Sequence, residues 1–240
     1  MGMEYDRFMV ASWGRAGSKA LAVVLQHELL ARSPDGMVPW YHLSPYTVIP
    51  SRQWSIYHGN SLEQLAEIDH MGIVVALRQP ASSALSSSLA SRQGYAHAYV
   101  DQHVELARHR LANAAWAFNH EYYARVIRDS QARHDLDRVA VPMDELRYRR
   151  LVCMNWNDIA ARLLAGRARP MVFDQWHGDV ALAASMMGVG TPKFVAVVQD
   201  PRPMIDRVTN AEEVAGWLAT CADEDASMLA AWQQALSGWR

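Results

Sequence analysis

"VASWGRAGSKALAVVL", residues 10–25, decides how the chain is read. It continues "RFMVAS" at 7–12, an apolar run short enough for a buried strand. Gly17 to Arg32 reads as a helix, with Leu21, Val24, Leu25 and Glu28 to Leu30 at helical spacing. "SPDG" at 33–36 then stops the helix. Between strand and helix lie two glycines, Gly14 and Gly17, and two cations, Arg15 and Lys19. A strand that turns directly into a helix brings unpaired main-chain N–H groups and the positive end of the helix dipole to one point. Gly17 lets the main chain approach an anion closely, Ser18 adds a hydroxyl, and Arg15 and Lys19 add charge. The stretch predicts an α/β protein with an anion cradle. On its own, the same pattern also fits a tight turn with two solvated cations.

Outward from the loop, strands and helices alternate. "WSIYH" at 54–58 predicts a short strand. "SLEQLAEI" at 61–68 predicts a helix with a capping box, Ser61 with Gln64 three residues on. "GIVVAL" at 72–77 has the short, β-branched, apolar character of a central parallel strand. Pro80 opens a helix through "PASSALSSSLASR". A long helix is predicted over about 97–130, where Val100, Val104, Ala107, Leu111, Ala114 and Phe118 form one apolar face. "DRVAVPMDEL" at 137–146 predicts a strand entering a helix that ends near Leu164. Strands are expected at 170–175 and 193–200, and a helix at 210–239. The aromatic stretch with Trp40, Tyr41, Tyr46, Trp54 and Tyr57 is broken by Pro39, Pro45 and Pro50, which argues for loop. The alternation implies a central parallel sheet with helices on both faces, in a single domain spanning 1–240.

Composition narrows the function classes. Half of the 240 residues are hydrophobic, enough for a sizeable core, and the net charge is −2. With scattered arginines and no basic patch, no nucleic-acid partner is expected. Cys153 and Cys221 sit in apolar, helical stretches, without the spacing of a metal site or a disulfide framework, so no metal is expected. No stretch is apolar for long enough to span a membrane, and "MGMEYDRF" is no signal peptide. A cytoplasmic protein is expected.

A second motif follows the best strand. In "LRQPASSALS", Arg78 stands at the strand's carboxyl end, Pro80 opens the helix, and Ser86 lies eight residues after the Arg. Open α/β sheets bind ligands at that edge, and an Arg there can fork onto a phosphate. The plainer alternative is a surface ion pair and a small serine on a packed face. Arg15–Ala16–Gly17–Ser18–Lys19 and Arg78–Gln79–Pro80…Ser86, in this order, resemble the sulfotransferases that use 3′-phosphoadenosine-5′-phosphosulfate (PAPS). The resemblance covers residues 7–165 and implies a P-loop-like nucleotide-binding architecture. It implies that residues 15–19 wrap the 5′-phosphosulfate and that Arg78 and Ser86 bind the 3′-phosphate. "VAVPMDEL" at 139–146 is similar to a later strand of that family. Lys19 and Ala20 depart from its loop pattern, and "HGD" at 177–179 is a poor copy of its C-terminal phosphate loop.

The implied reaction moves a sulfuryl group from PAPS to a hydroxyl or amine of a small-molecule or carbohydrate acceptor, releasing 3′-phosphoadenosine-5′-phosphate (PAP). Catalysis of that kind is mostly positioning and charge stabilisation. Arg15, cationic at any working pH, is the expected clamp on the leaving oxygen. His58, at a strand end, is the expected base, with His42 and Glu63 as alternates. His97, His103, His109 and His120 are expected to be exposed or structural. Two other functions compete. A nucleoside-triphosphate enzyme of the P-loop kinase type would need a Gly directly before its Lys, where Ser18 stands. Asp174 in "MVFDQ" would be its late metal-binding strand. A non-catalytic binding protein of the sulfotransferase fold is the other.

Overall fold

The computed structural model describes residues 7–18, 21–22, 25–26, 29, 33–36, 38, 40–43, 55–60, 62–67, 71–93, 138–173 and 204–237. Five strands form one sheet: β1 (Arg7–Ala11), β2 (Trp40–Leu43), β3 (Ser55–Gly59), β4 (Gly72–Leu77) and β5 (Arg169–Val172). Their spatial order is β2-β3-β1-β4-β5. Every neighbouring pair is parallel. β4 is buried along its whole length, as a strand covered on both faces must be, and its continuous apolar run made it the easiest element to predict.

Register divides the strand residues between two faces. Met9 lies opposite both Tyr57 and Ile73, and Ala11 opposite Val75. These side chains, with Leu77 and Val172, pack against Trp156, Ala160, Leu164, Trp232 and Leu236. That face is covered by helices α1 (Leu62–Glu67), α3 (Met143–Leu163) and α4 (Ala211–Leu236), while α2 (Pro80–Gln93) packs against α3 and α4 through Ala84, Leu85 and Leu89. In this layer α3 touches the other three helices. Phe8, Val10, Ile56 and Val74 have the opposite parity and are fully buried too. Helical residues follow the loop at Ser18, Leu21, Ala22, Leu25, Gln26 and Leu29. Right-handed crossovers place this loop helix, on the way from β1 to β2, opposite the helices that carry the chain from β3 to β4 and from β4 to β5.

The topology fixes where a ligand would sit. From β1 the chain moves toward β2, and from β4 toward β5, in opposite directions across the sheet. β1 and β4 are neighbours. The crevice beyond their carboxyl ends is therefore a topological switch point, where open α/β sheets take ligands.

Two expectations are corrected. Residues 40–43 form edge strand β2, paired with β3, and are not loop. Pro39 and Pro45 flank the four residues without interrupting them, and a sheet edge tolerates nearby proline. Of the strand expected at 137–146, the described residues 138–146 add no strand to the sheet. Val139 makes an isolated bridge to Val208. The pairing then passes to a side chain, since the Asn210 amide accepts from Val141 N (3.0 Å) and donates to Val141 O (2.9 Å). Helix α3 starts straight after Pro142, so there is no room for a longer strand. The predicted helix at 97–130 with its histidines, the predicted strand at 193–200, Ser61, Lys19, Ala20, Asp174 and the "HGD" at 177–179 lie outside the described residues.

Candidate functional site

The loop after β1 has an unusual main chain. Arg15 adopts φ 65° and Gly17 φ 78°. The left-handed region costs a non-glycine residue roughly 1–2 kcal/mol, so the surroundings must hold Arg15 there. Gly17 is required twice over. Its φ favours glycine, and a Cβ at this position would lie 2.6 Å from the ring of Phe173.

Side chains from the second motif hold the loop. Ser83 Oγ of α2 donates to Gly14 O (2.9 Å). Arg78 Nη1 donates to Arg15 O (3.1 Å). A trans peptide points its N–H opposite to its C=O. With these two carbonyls drawn toward α2 and Arg78, the Arg15 and Ala16 N–H groups are turned the other way. The result is a row of main-chain donors running into the first turn of the loop helix, where Leu21 N bonds Gly17 O (3.0 Å).

The two motifs meet directly. Arg15 Nε lies 3.5 Å from Ser86 Oγ, across 71 positions of sequence. Ser86 sits on α2, itself positioned by Pro80 at its start. Arg78 is only 9 % exposed. Its guanidinium stacks over the ring of Phe173, 4.3 Å from the centroid, and Nη2 contacts the sulfur of Met204 at 3.8 Å. Arg78 and the Arg15–Ser86 pair thus stand together beyond the carboxyl ends of β4 and β1.

His58, one residue before the end of β3, lies opposite Val10 of β1, on the face of the loop helix. Its Nε2 lies 2.8 Å from Ser18 Oγ. Ser18 Oγ also accepts from Ser12 Oγ at 2.7 Å. All three residues are buried. The hydroxyl of Ser18 is thereby tied on one side to the strand that enters the loop and on the other to the neighbouring strand. This ring nitrogen is turned toward the cradle itself. Of the two alternate bases, His42 occupies the position opposite His58 in register, and Glu63 lies on α1.

Below the crevice the second helix start is already neutralised. Asp225 Oδ2 of α4 accepts from Ala81 N, in the first turn of α2, at 2.6 Å. Its Oδ1 accepts from Arg150 Nε at 2.8 Å. The carboxylate is 1 % exposed. Cys153 of α3 lies in the same layer, hydrogen-bonded with Ser83 and Asn157, and burial pushes its thiol up to about 12. Both cysteines are free and buried. Among the described residues no group of three or more His, Cys, Asp or Glu is placed to hold a metal ion, and no helix is long and apolar enough to cross a membrane.

Sequence reasoning missed Phe173, Ser83, Ser12 and Asp225. Ser83 carried a signal, since it falls three residues before Ser86 on one helical face. Asp225 carried none, because its partner Ala81 is 144 positions away. The chain matches no family model, no curated protein and no solved structure.

Proposed function

We propose that this protein is a PAPS-dependent sulfotransferase, with the crevice between β1 and β4 as its nucleotide site. The observation that carries the proposal is the meeting of Arg15 and Ser86, 3.5 Å apart, at the carboxyl ends of adjacent parallel strands. The residues fit the group. The main-chain donors of residues 15–16 and the helix start at Ser18 suit a phosphosulfate. The Arg78 guanidinium and the Ser86 hydroxyl suit the 3′-phosphate.

PAPS supplies a sulfuryl group on a good phosphate leaving group. Arg15 is placed to stabilise charge growing on the leaving oxygen, without giving up a proton. Ser18, held between Ser12 and His58, presents its oxygen at the start of the helix in a fixed orientation. His58 is the base assigned to the acceptor hydroxyl or amine. To act so, its Nε2 must exchange Ser18 for the acceptor, a short move within one hydrogen-bonding distance.

A thermal-shift comparison tests the proposal. PAP at a hundredfold excess over its Kd should stabilise the fold by about 2.7 kcal/mol, and ATP with magnesium should do less. A clear shift with ATP-magnesium and none with PAP would instead support a kinase-type enzyme. PAP binding without transfer to any hydroxylated acceptor would support the non-catalytic alternative.

A further inference from the structure

We infer that Phe173 is a positioning residue for both arms of the crevice, its ring seating the Arg78 guanidinium while filling the space that Gly17 leaves beside the loop. This rests on the nucleotide reading for its affinity test, though not for its geometry.

Three contacts meet on this one residue. Its N–H donates to Leu77 O at 2.8 Å, so the ring leaves the sheet one step beyond the β4–β5 pairing and level with Arg78. One ring face carries the Arg78 guanidinium at 4.3 Å. The Cδ2–Cε2 edge lies against the α-carbon of Gly17, close enough that any Cβ there would collide with it. A guanidinium is held flat against an aromatic face by the ring quadrupole. That orientation turns Nη1 toward Arg15 O and Nη2 toward Met204. Loop and Arg are thus spaced by one rigid ring, and neither can shift without moving it. Phe173 stands immediately before Asp174 in "MVFDQ". The sequence raised that stretch as a metal-binding strand; the geometry gives its aromatic residue a different task.

The test uses Phe173→Leu, which keeps apolar bulk and removes the aromatic face. Its first readout needs no ligand. In the wild type the Arg78 Nε–H proton should resonate away from its ordinary position, shifted by the ring current. Phe173→Leu should return it there, and Phe173→Tyr should leave it shifted. The second readout is PAP affinity in two backgrounds. Phe173→Leu should weaken PAP by about tenfold in the wild type, as expected for a partly desolvated cation–aromatic contact, and have little effect in an Arg78→Ala background. A merely structural phenylalanine would cost the same in both. Equal losses, no loss in the wild type, or an Arg78 signal indifferent to Phe173→Leu would each overturn the inference. If the wild type fails to bind PAP, the nucleotide reading falls while the resonance test still decides the role of Phe173. Should Phe173→Leu not fold, Gly17→Ala replaces it. The added methyl would lie 2.6 Å from the ring, so the packing of loop and ring must give way and the Arg78 signal should move; a stationary signal overturns the inference.

Discussion

The turns after β1 and β4 do similar things with different materials. Each ends a central parallel strand, carries an arginine and enters a helix. After β1 the chain uses residues 12–17 for a loop with two left-handed residues, Arg15 and Gly17, and its donors are main-chain groups. After β4 there is no slack. Pro80 begins the helix two residues after Arg78, and the helix start is already occupied by the Asp225 carboxylate. The first turn can hold an anion with its backbone. The second has given its helix dipole to a protein carboxylate and retains only side chains, Arg78 and Ser86. Two turns at one sheet edge need not be built alike.

Removing Asp225 should break this comparison most severely. Asp225→Ala would leave Arg150 half-partnered, with Glu224 alone, and would expose the first turn of α2 to no acceptor. Loss of one member of a buried pair typically costs about 3–5 kcal/mol. Urea unfolding should show a loss of this order. A change below about 1 kcal/mol would mean that the helix start is satisfied in some other way.

The arginines should separate next. Arg15→Ala should leave the fold intact and lower turnover by about 10²–10³, the usual cost of one preorganised charge stabiliser. Arg78→Ala should weaken PAP by about 1.5–3 kcal/mol, as for a charged hydrogen bond, and should weaken adenosine 5′-phosphosulfate, which lacks the 3′-phosphate, by much less. Isothermal titration with both nucleotides checks this. Equal losses would assign Arg78 to propping the loop through Arg15 O and Phe173, and would make the two turns more unequal than proposed.

The smallest effect lies away from the crevice, where α2 meets α3. Burial raises the Glu145 carboxyl, but hydrogen bonds from Ser88, Arg92 and Arg149 outweigh it and hold the group at about 2, against 4.5 ordinarily. A depressed carboxyl stabilises the fold above its unfolded value, and that contribution fades as pH falls from about 4.5 toward 2. Glu145→Gln should cost about 1–2 kcal/mol at pH 7 and flatten the acid limb of stability against pH. An unchanged acid limb would place the acid sensitivity elsewhere.

How much of this was legible in the sequence follows from the range of each signal. β4 was expected at 72–77 and is found at Gly72–Leu77; Pro80 was expected to open α2 and does. Continuous apolar runs and proline punctuation are local, so they survive folding unchanged. β2 was hidden because flanking prolines resemble interrupting ones until the sheet edge is seen. The strand expected at 137–146 was overruled by Asn210, whose amide imitates a strand partner from 69 positions away. In the site, Arg15, Gly17, Arg78 and Ser86 were recognisable from spacing, and the structure brings them together. That His58 Nε2 meets Ser18 depends on the β1–β3 register. That Phe173 underlies Arg78 depends on where β5 ends. Neither can be read from one stretch of chain.

The thiol of Cys153 has a use of its own. It is buried, and burial pushes it up to about 12, so the reactive thiolate is scarce at neutral pH. A maleimide or disulfide reagent must therefore wait for the layer of α2, α3 and α4 to come apart before it can react. Under those conditions its slow consumption is a clock, and its rate reports how often this layer opens. A ligand that bridges the turns after β1 and β4 should slow that clock. The sulfur is then a built-in gauge of whether the crevice is filled, readable by mass without knowing what fills it.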